Sequence, residues 1–465
     1  MRMLEEPESL PGNLDPHLIL DSDPSRIPAP AKVSGLLSVL QSIGSKAGIL
    51  VLNAATGILT ARALRPQGRG ELAAMIIWSL FLASATTLGV PSSVIYYLRH
   101  RPELRTELKA SAMIMSCLLG GVAALVGAIF LPLWLHQYPL PMIHAAQWFL
   151  LLTPICSMTL AGRAILEASD EFSMSNLVQT LSPAVTLVVL LGFLLSHRLT
   201  PYTAAISYIL AAIPTFALLL LRLRFDWLQP GSFRISTCKL LLSYGVRSYG
   251  IDLLGTLALQ VDQVLVVNLL TPSAMGSYVV VLSLSRMLNL FQNSVVMVLF
   301  PKAAGRTHGE VFALTAQSAR LSTSITALCG LCVCLLGPLF LRLLYGKEYV
   351  DAVNALRVLV VEVTLSGLVF VLAQAFMALG RPGTITALQA IGLSLSIPTM
   401  LWLVPKLGVL GAAIALLLST VARLVLVLVA FKFVFNSPLP DLVPRGSDFT
   451  TIIGRITNRS SAAAS

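Results

Sequence analysis

Seven ionisable side chains, Lys46, Arg247, Asp252, Asp262, Arg286, Glu362 and Arg423, fall inside long apolar stretches of this 465-residue chain. A charge at the centre of a hydrocarbon layer costs about 2.5–3.5 kcal/mol even on a lenient insertion scale, so seven uncompensated groups would cost on the order of 15–20 kcal/mol. They must pair with one another or line a wetted cavity. Four are cations and three are acids, so pairing among themselves leaves positive charge over. An interior with that surplus attracts anions, and an Arg fork can hold a diphosphate through paired hydrogen bonds. Asp252 and Glu362 fit a purely structural ion pair equally well.

Catalysis has less to stand on. The sequence offers no Ser/His/Asp set, no paired carboxylates in a loop, no Gly-rich phosphate cradle and no nucleotide motif, so neither enzyme activity nor a cofactor is expected. The six cysteines lie in apolar segments (Cys117, Cys156, Cys329, Cys332, Cys334) or at the edge of one (Cys238) and read as small buried hydrophobes. The run Cys329, Cys332, Cys334 lacks a nearby His or carboxylate, so no metal site is expected. The formal charge of +11 comes from basic residues flanking apolar segments, not from a soluble basic face. It is a topology signal, and nucleic acid is not an expected partner.

The elements that must position these groups are membrane helices. At 56% hydrophobic and 11% charged residues, the chain is far from the roughly 45–50% and 25% of soluble domains. A hydrocarbon core of about 30 Å takes about 20 apolar residues in a helix, and lipid satisfies no open backbone groups. The expected fold class is an all-α polytopic membrane protein of about twelve transmembrane helices, as two parallel six-helix repeats around a central cavity. The first six are expected near 36–61, 71–98, 110–135, 141–168, 176–197 and 201–221. The second six are expected near 239–269, 274–300, 315–345, 354–379, 384–404 and 409–432.

The expected organisation is a disordered cytoplasmic tail (1–33), an N-terminal lobe (34–225), a cytoplasmic linker (226–238), a C-terminal lobe (239–434) and a flexible cytoplasmic tail (435–465). Basic residues gather in the Arg99–Lys109 and Arg222–Lys239 loops and the C-terminal tail, which places both termini in the cytoplasm. The exceptions are Arg342, Lys347 and Arg357 in one outer loop and Arg62, Arg65 and Arg69 in the first. Those first-loop arginines either snorkel to lipid headgroups or contact phosphate at the outer mouth.

The chain repeats itself. Leu64-Arg-Pro66-Gln-Gly-Arg-Gly70-Glu-Leu72 recurs as Leu270-Thr-Pro272-Ser-Ala-Met-Gly276-Ser-Tyr278. Ala164-Ile-Leu-Glu-Ala168 parallels Ala375-Phe-Met-Ala-Leu379, and Ala204-Ala-Ile206 parallels Ala412-Ala-Ile414, all at nearly one offset. Six helices per repeat is even, so both halves enter the membrane in the same orientation, as in transporters whose lobes rock about a central site. Helix one gathers Ser38, Gln41, Ser42, Ser45, Lys46, Asn53, Thr56 and Thr60 on one face, and helix seven gathers Arg247, Asp252, Gly255 and Asp262. The two polar faces are expected to meet across a shared cavity.

The stretch Thr60-Ala-Arg-Ala-Leu-Arg-Pro-Gln-Gly-Arg-Gly-Glu-Leu72 resembles the first-loop motif of the bacterial oligosaccharide and O-antigen flippases, the Wzx-type polysaccharide exporters. Asp262-Gln-Val-Leu-Val-Val267, Pro272 to Tyr278, Arg286 and Leu299-Phe-Pro-Lys302 are similar to the same family's seventh and eighth helices. The resemblance runs over roughly residues 36 to 432. It implies a superfamily shared with multidrug extruders and the lipid II flippase. It further implies alternating access that carries a polyprenyl-diphosphate-linked oligosaccharide across the bacterial inner membrane, with Asp262 and Arg286 at family-like positions. The implied partners are that substrate, membrane lipids and other polysaccharide assembly proteins. Asp252, Asp262 and Glu362 are the candidates for coupling to a proton or sodium gradient. Two alternatives are a cation-coupled multidrug extruder, although helix one carries Lys46 and no carboxylate, and a polysaccharide polymerase or ligase, although the outer loops are short.

Overall fold

The computed structural model describes residues 34–223, 233–303, 306–435 and 440–442. The expected N-terminal tail, most of the linker and nearly all of the C-terminal tail lie outside the described residues. Those residues form helices and connecting turns, with no strand among them.

Eight described helical stretches are long and apolar enough to cross a membrane. Two are too long to cross once: 44–85 has 42 residues and 383–435 has 53, or ~63 and ~80 Å of helix against a core of about 30 Å. Each bends at a residue with non-helical backbone, Arg65 (φ 58°, ψ 178°) and Gly408 (φ 58°, ψ −133°). Each is therefore two crossings. With the bent pair Pro272–Arg286 and Asn289–Ala303 as one crossing and Ile235–Leu269 as another, the described residues make twelve.

We number them α1 (34–64), α2 (66–100), α3 (Arg105–Trp134), α4 (140–168), α5 (Phe172–Leu195), α6 (Pro201–Arg222), α7 (Ile235–Leu269), α8 (272–303), α9 (His308–Phe340), α10 (Val353–Ala378), α11 (382–407) and α12 (409–435). Local chemistry explains several boundaries. Thr200 and Thr203 form a reciprocal capping box at the start of α6, with Pro201 at the first helical position, and Thr307 with Glu310 does the same for α9. Gly380, at φ 71°, ends α10 two residues before Pro382.

The second helix of each half is broken. α2 is interrupted at 86–89, where Gly89 takes φ 72°, and α8 bends by 43° at 287–288. The apolar periodicity predicts neither break, because a short turn between two apolar helices leaves the hydrophobic pattern intact.

The apolar core divides unevenly. One cluster spans both halves near residues 61–78 and 266–288, joining Leu72, Met75 and Trp78 to Met275, Tyr278, Tyr349 and Leu356. At the opposite end are two clusters. One belongs to the first half around Val94, Met113 and Leu219, with Leu241 of α7 added, and the other to the second half around Val371, Phe376 and Phe431. The halves are thus fused at the end carrying the repeated Pro-X3-Gly segments (the motif end), while at the opposite end, where α6 stops and α7 starts (the linker end), each keeps a core of its own and the two meet along α2 and α7. Large apolar side chains such as Leu125, Ile129, Leu133, Leu328 and Leu335 remain exposed on α3 and α9, as lipid-facing surfaces do.

Candidate functional site

At the motif end the two copies of the repeated segment meet face to face. A β-carbon on Gly70 would fall on the Pro272 carbonyl oxygen, and one on Gly276 would fall on the Pro66 carbonyl oxygen. The two backbones therefore touch about an approximate two-fold axis, which only glycine permits. Reaching that contact holds Arg65 at φ 58°, a sparsely populated conformation for a residue with a β-carbon. Polar links flank the contact on both sides. Arg62 at the end of α1 donates to the carbonyls of Leu343 and Leu344 after α9, and Tyr349 donates to the carbonyl of Ala61 (3.1 Å). In the opposite sense, Gln137 after α3 donates to the carbonyls of Asn268 (3.2 Å) and Leu269 (3.1 Å) at the end of α7.

Arg62 thus satisfies otherwise open carbonyls of the partner half, charge-assisted bonds worth about 1.5–3 kcal/mol. Arg62→Ala is expected to raise hydrogen–deuterium exchange through residues 341–352 by roughly tenfold or more, following that loss. Unchanged exchange there would remove Arg62 from the closure.

Toward the linker end a cavity of about 250 Å³ opens between α1 and α8, lined by Lys46 and Leu50 on one side and Arg286, Asn289, Asn293 and Ser294 on the other. Arg286 is held by the carboxylate of Asp262 (2.9 Å), whose Oδ2 also accepts from Tyr278 (2.8 Å). The Asp262 side chain is 1% exposed and that of Arg286 31%, so the acid is the buried anchor and the guanidinium the wetted partner. Deeper in the second half, Glu362 accepts from Thr420 (2.7 Å), to which Arg423 also donates (2.9 Å). Along the other seam α2 packs on α7 up to the linker end. Tyr96 stacks on Tyr244 with centroids 4.5 Å apart, Ser93 donates to the carbonyl of Leu241 (2.8 Å), and Arg234 pairs with Glu107 (3.3 Å).

The arrangement is a passage closed at one end and cationic toward the other, with no nucleophile–base pair along it among the described residues. A family model described as polysaccharide biosynthesis protein matches residues 38–304, more than half of the chain. The chain belongs to this family. Among curated proteins no sequence matches it.

Solved structures give this family member the fold of a wider superfamily. An inward-facing multidrug resistance MATE transporter of the MOP superfamily overlays with a TM-score of 0.69 at 15% identity, covering 83% of this chain and 95% of that one. The lipid II flippase MurJ in an inward closed conformation gives 0.71 at 14%, covering 85% and 87%. An outward-facing MATE transporter gives 0.58 at 16%, covering 84% and 92%. The protein is therefore a multi-pass membrane member of a flippase and transporter fold.

Of the residues singled out from sequence, the structure brings Lys46 to one cavity with Arg286, and Arg286 to Asp262. Glu362 and Arg423 form a separate buried pair linked through Thr420. Asn53 is exposed on α1, and Arg247 is exposed on the linker half of α7. The side chain of Asp252 lies outside the described residues. The shared cavity is walled by α1 and α8 rather than by α1 and α7, because α7 turns Asp262 inward to hold Arg286 and closes against α2. In the first loop only Arg62 bonds the partner half. Arg65 is exposed, and Arg69 is half-buried within electrostatic reach of Tyr345 and Tyr349.

Sequence reasoning passed over Arg163. It lies close to the end of α4, where a basic residue reads as a topology mark, yet its side chain is only 24% exposed and its Nε is buried with no partner. The signal was available in the position itself, about one and a half turns inside the helix end.

Proposed function

We propose that this protein flips a polyprenyl-diphosphate-linked oligosaccharide from the cytoplasmic to the outer leaflet of the bacterial inner membrane, by alternating access, during assembly of a surface polysaccharide such as O-antigen or exopolysaccharide. The observation that carries the reading is the cationic cavity between α1 and α8, where Lys46 and Arg286 line one space with the apolar Leu50 and Leu290 beside them. A diphosphate would sit between the two cations while its polyprenyl chain stays in lipid, and the glycan would occupy the wetted interior. With both termini cytoplasmic, the linker end faces the cytoplasm and the closed motif end faces outward. The better overlay on inward-state relatives (0.69 and 0.71) than on an outward-facing one (0.58) supports that assignment of state.

Substrate release then requires the Gly70–Gly276 contact to part and the linker end to close. Asp262 and Glu362 are the acids whose protonation, or whose capture of sodium, would couple that exchange to an ion gradient, with Asp252 a third candidate.

The test is reconstitution in vesicles with lipid-linked oligosaccharide extracted from the source membranes, following the glycan's access to an impermeant probe. The wild type moves it across. Lys46→Ala and Arg286→Ala each lower the rate by about tenfold or more, the loss of one charge-assisted contact, while remaining in the membrane. Unchanged transport in both would sink the cationic-cavity reading. The MATE likeness favours a second reading, a multidrug extruder, for which lipophilic cations and not the glycolipid would move in the same vesicles.

A further inference from the structure

The duplicated fold places equivalent cavities in its two halves, one largely filled and one open. In the second half a space of about 80 Å³ lies among α10, α11 and α12, lined by Ser366, Phe370, Gln389 and Arg423. In the first half the corresponding space, among α2, α4, α5 and α6, measures about 240 Å³. The correspondence is residue by residue. The offset that relates Ala204 to Ala412 also relates Thr215 to Arg423, and a nearly equal one relates Gln179 to Gln389. Thr215 and Gln179 both line the larger cavity. In the second half the long Arg423 side chain packs against Gly392 and reaches Thr420 beside Glu362, so it plugs its own cavity. In the first half the short Thr215 leaves the space open.

What lines that open space is chemically selective. Ser84, Thr159, Gln179, Ser182 and Thr215 contribute hydroxyl and amide groups among apolar walls from Leu80, Ile155 and Val178. Arg163 stands at its edge together with Ser84 and Leu160, and the same three residues also line a second cavity of about 570 Å³. That second space is walled on its far side by Gly255, Thr256 and Gln260 of α7, so it lies between the two halves. Arg163 is weakly held. Its guanidinium reaches Glu167 at 3.5 Å, its Nε is buried with no partner among the described residues, and Glu167 already accepts from Ser175 at 2.7 Å.

We infer that this first-half cavity is a glycan pocket that takes a sugar residue of the transported lipid, with Arg163 donating to a sugar hydroxyl or carboxylate. The inference rests on the flippase reading and adds to it a division of labour. The cations between α1 and α8 hold the diphosphate common to all such lipids, and the Arg163 pocket reads the sugar. Many hydroxyl and amide groups on a firm apolar frame, with one loosely paired guanidinium, suit a polyhydroxylated ring better than they suit a lipophilic cation, which Arg163 would repel. The counterpart of Arg163 in the second half is Gln374, which spends its amide on the Phe370 carbonyl of its own helix (3.2 Å). The second half therefore carries a self-bonded amide where the first half carries Arg163.

The experiment compares two ligands on purified full-length protein in nanodiscs: the lipid-linked oligosaccharide from source membranes, and synthetic polyprenyl diphosphate that carries no glycan. Arg163→Gln is expected to weaken binding of the glycosylated lipid about tenfold and leave the bare diphosphate lipid unchanged. Ser182→Leu, which fills the cavity without touching Arg163, is expected to do the same. Lys46→Ala weakens both ligands. Equal loss for both lipids in Arg163→Gln, or wild-type affinity for the glycosylated lipid in both pocket variants, would overturn the glycan pocket while leaving the flippase reading in place. Failure of the wild type to bind either lipid would overturn both.

Discussion

Gly70→Leu and Gly276→Leu each stop transport while leaving a folded protein in the membrane. The reason is geometric. Each glycine lies against a backbone carbonyl of the opposite half, Pro272 for Gly70 and Pro66 for Gly276, so no side-chain rotation can relieve an added group. Overpacking at a rigid contact costs about 1–3 kcal/mol or more. Here the halves can escape that cost by separating at the motif end. The substitution therefore shifts the balance between closed and open motif ends by about tenfold for each 1.4 kcal/mol, and a cycle that must pass through closure is arrested. Spin-label distances across the motif end should lengthen, and vesicle transport should fall to background. Gly121→Leu and Gly192→Leu, where a β-carbon meets nothing within 4 Å, serve as controls and should transport normally. Normal transport in Gly276→Leu would show that the motif end does not need to close as the structure has it.

Arg286→Ala should cost both stability and transport, and the two losses are separable. Removing the guanidinium leaves the Asp262 carboxylate buried with only the Tyr278 hydroxyl on it, and its Oδ1 has no partner to begin with. Breaking a buried pair from one side costs about 3–5 kcal/mol, because the surviving charge has no water to return to. Asp262→Ala with Arg286→Ala removes that orphan and should recover most of the stability, without recovering transport, since the cavity between α1 and α8 still lacks its cation. Thermal unfolding in detergent reads the first effect and vesicle transport the second. If the single and double variants unfold at the same temperature, Arg286 is not what compensates Asp262. If the double variant transports, Arg286 is not part of the pathway.

Fold class and helix number were legible in the sequence because the bilayer imposes one rule on every crossing: about 20 apolar residues with their backbone bonds closed internally. The repeat was legible for the same kind of reason. Pro66 and Gly70, and their counterparts Pro272 and Gly276, are residues whose types are dictated by backbone geometry, and such positions keep their identity at a fixed spacing. The sequence also showed that Lys46, Asp262 and Arg286 lie at membrane depth, since charge against an apolar background is visible wherever it occurs.

The tertiary structure decided which of those charges meet. Helical periodicity specifies the face of a helix and not the neighbour that face turns to, so α7 could be expected across the cavity from α1 when α8 in fact stands there. The breaks in α2 and α8 that re-aim their side chains leave no mark on the apolar pattern. Arg163 and Arg423 are both arginines set in apolar helices, yet one borders an open polar cavity and the other fills its own. That difference rests on whether the repeat places Thr215 or Arg423 at one position of the last helix in each half. The pairing of Gly70 with Pro272 and of Gly276 with Pro66 joins the two halves of the chain. The sequence by itself determined that two such segments exist, and only folding determined that they close on each other.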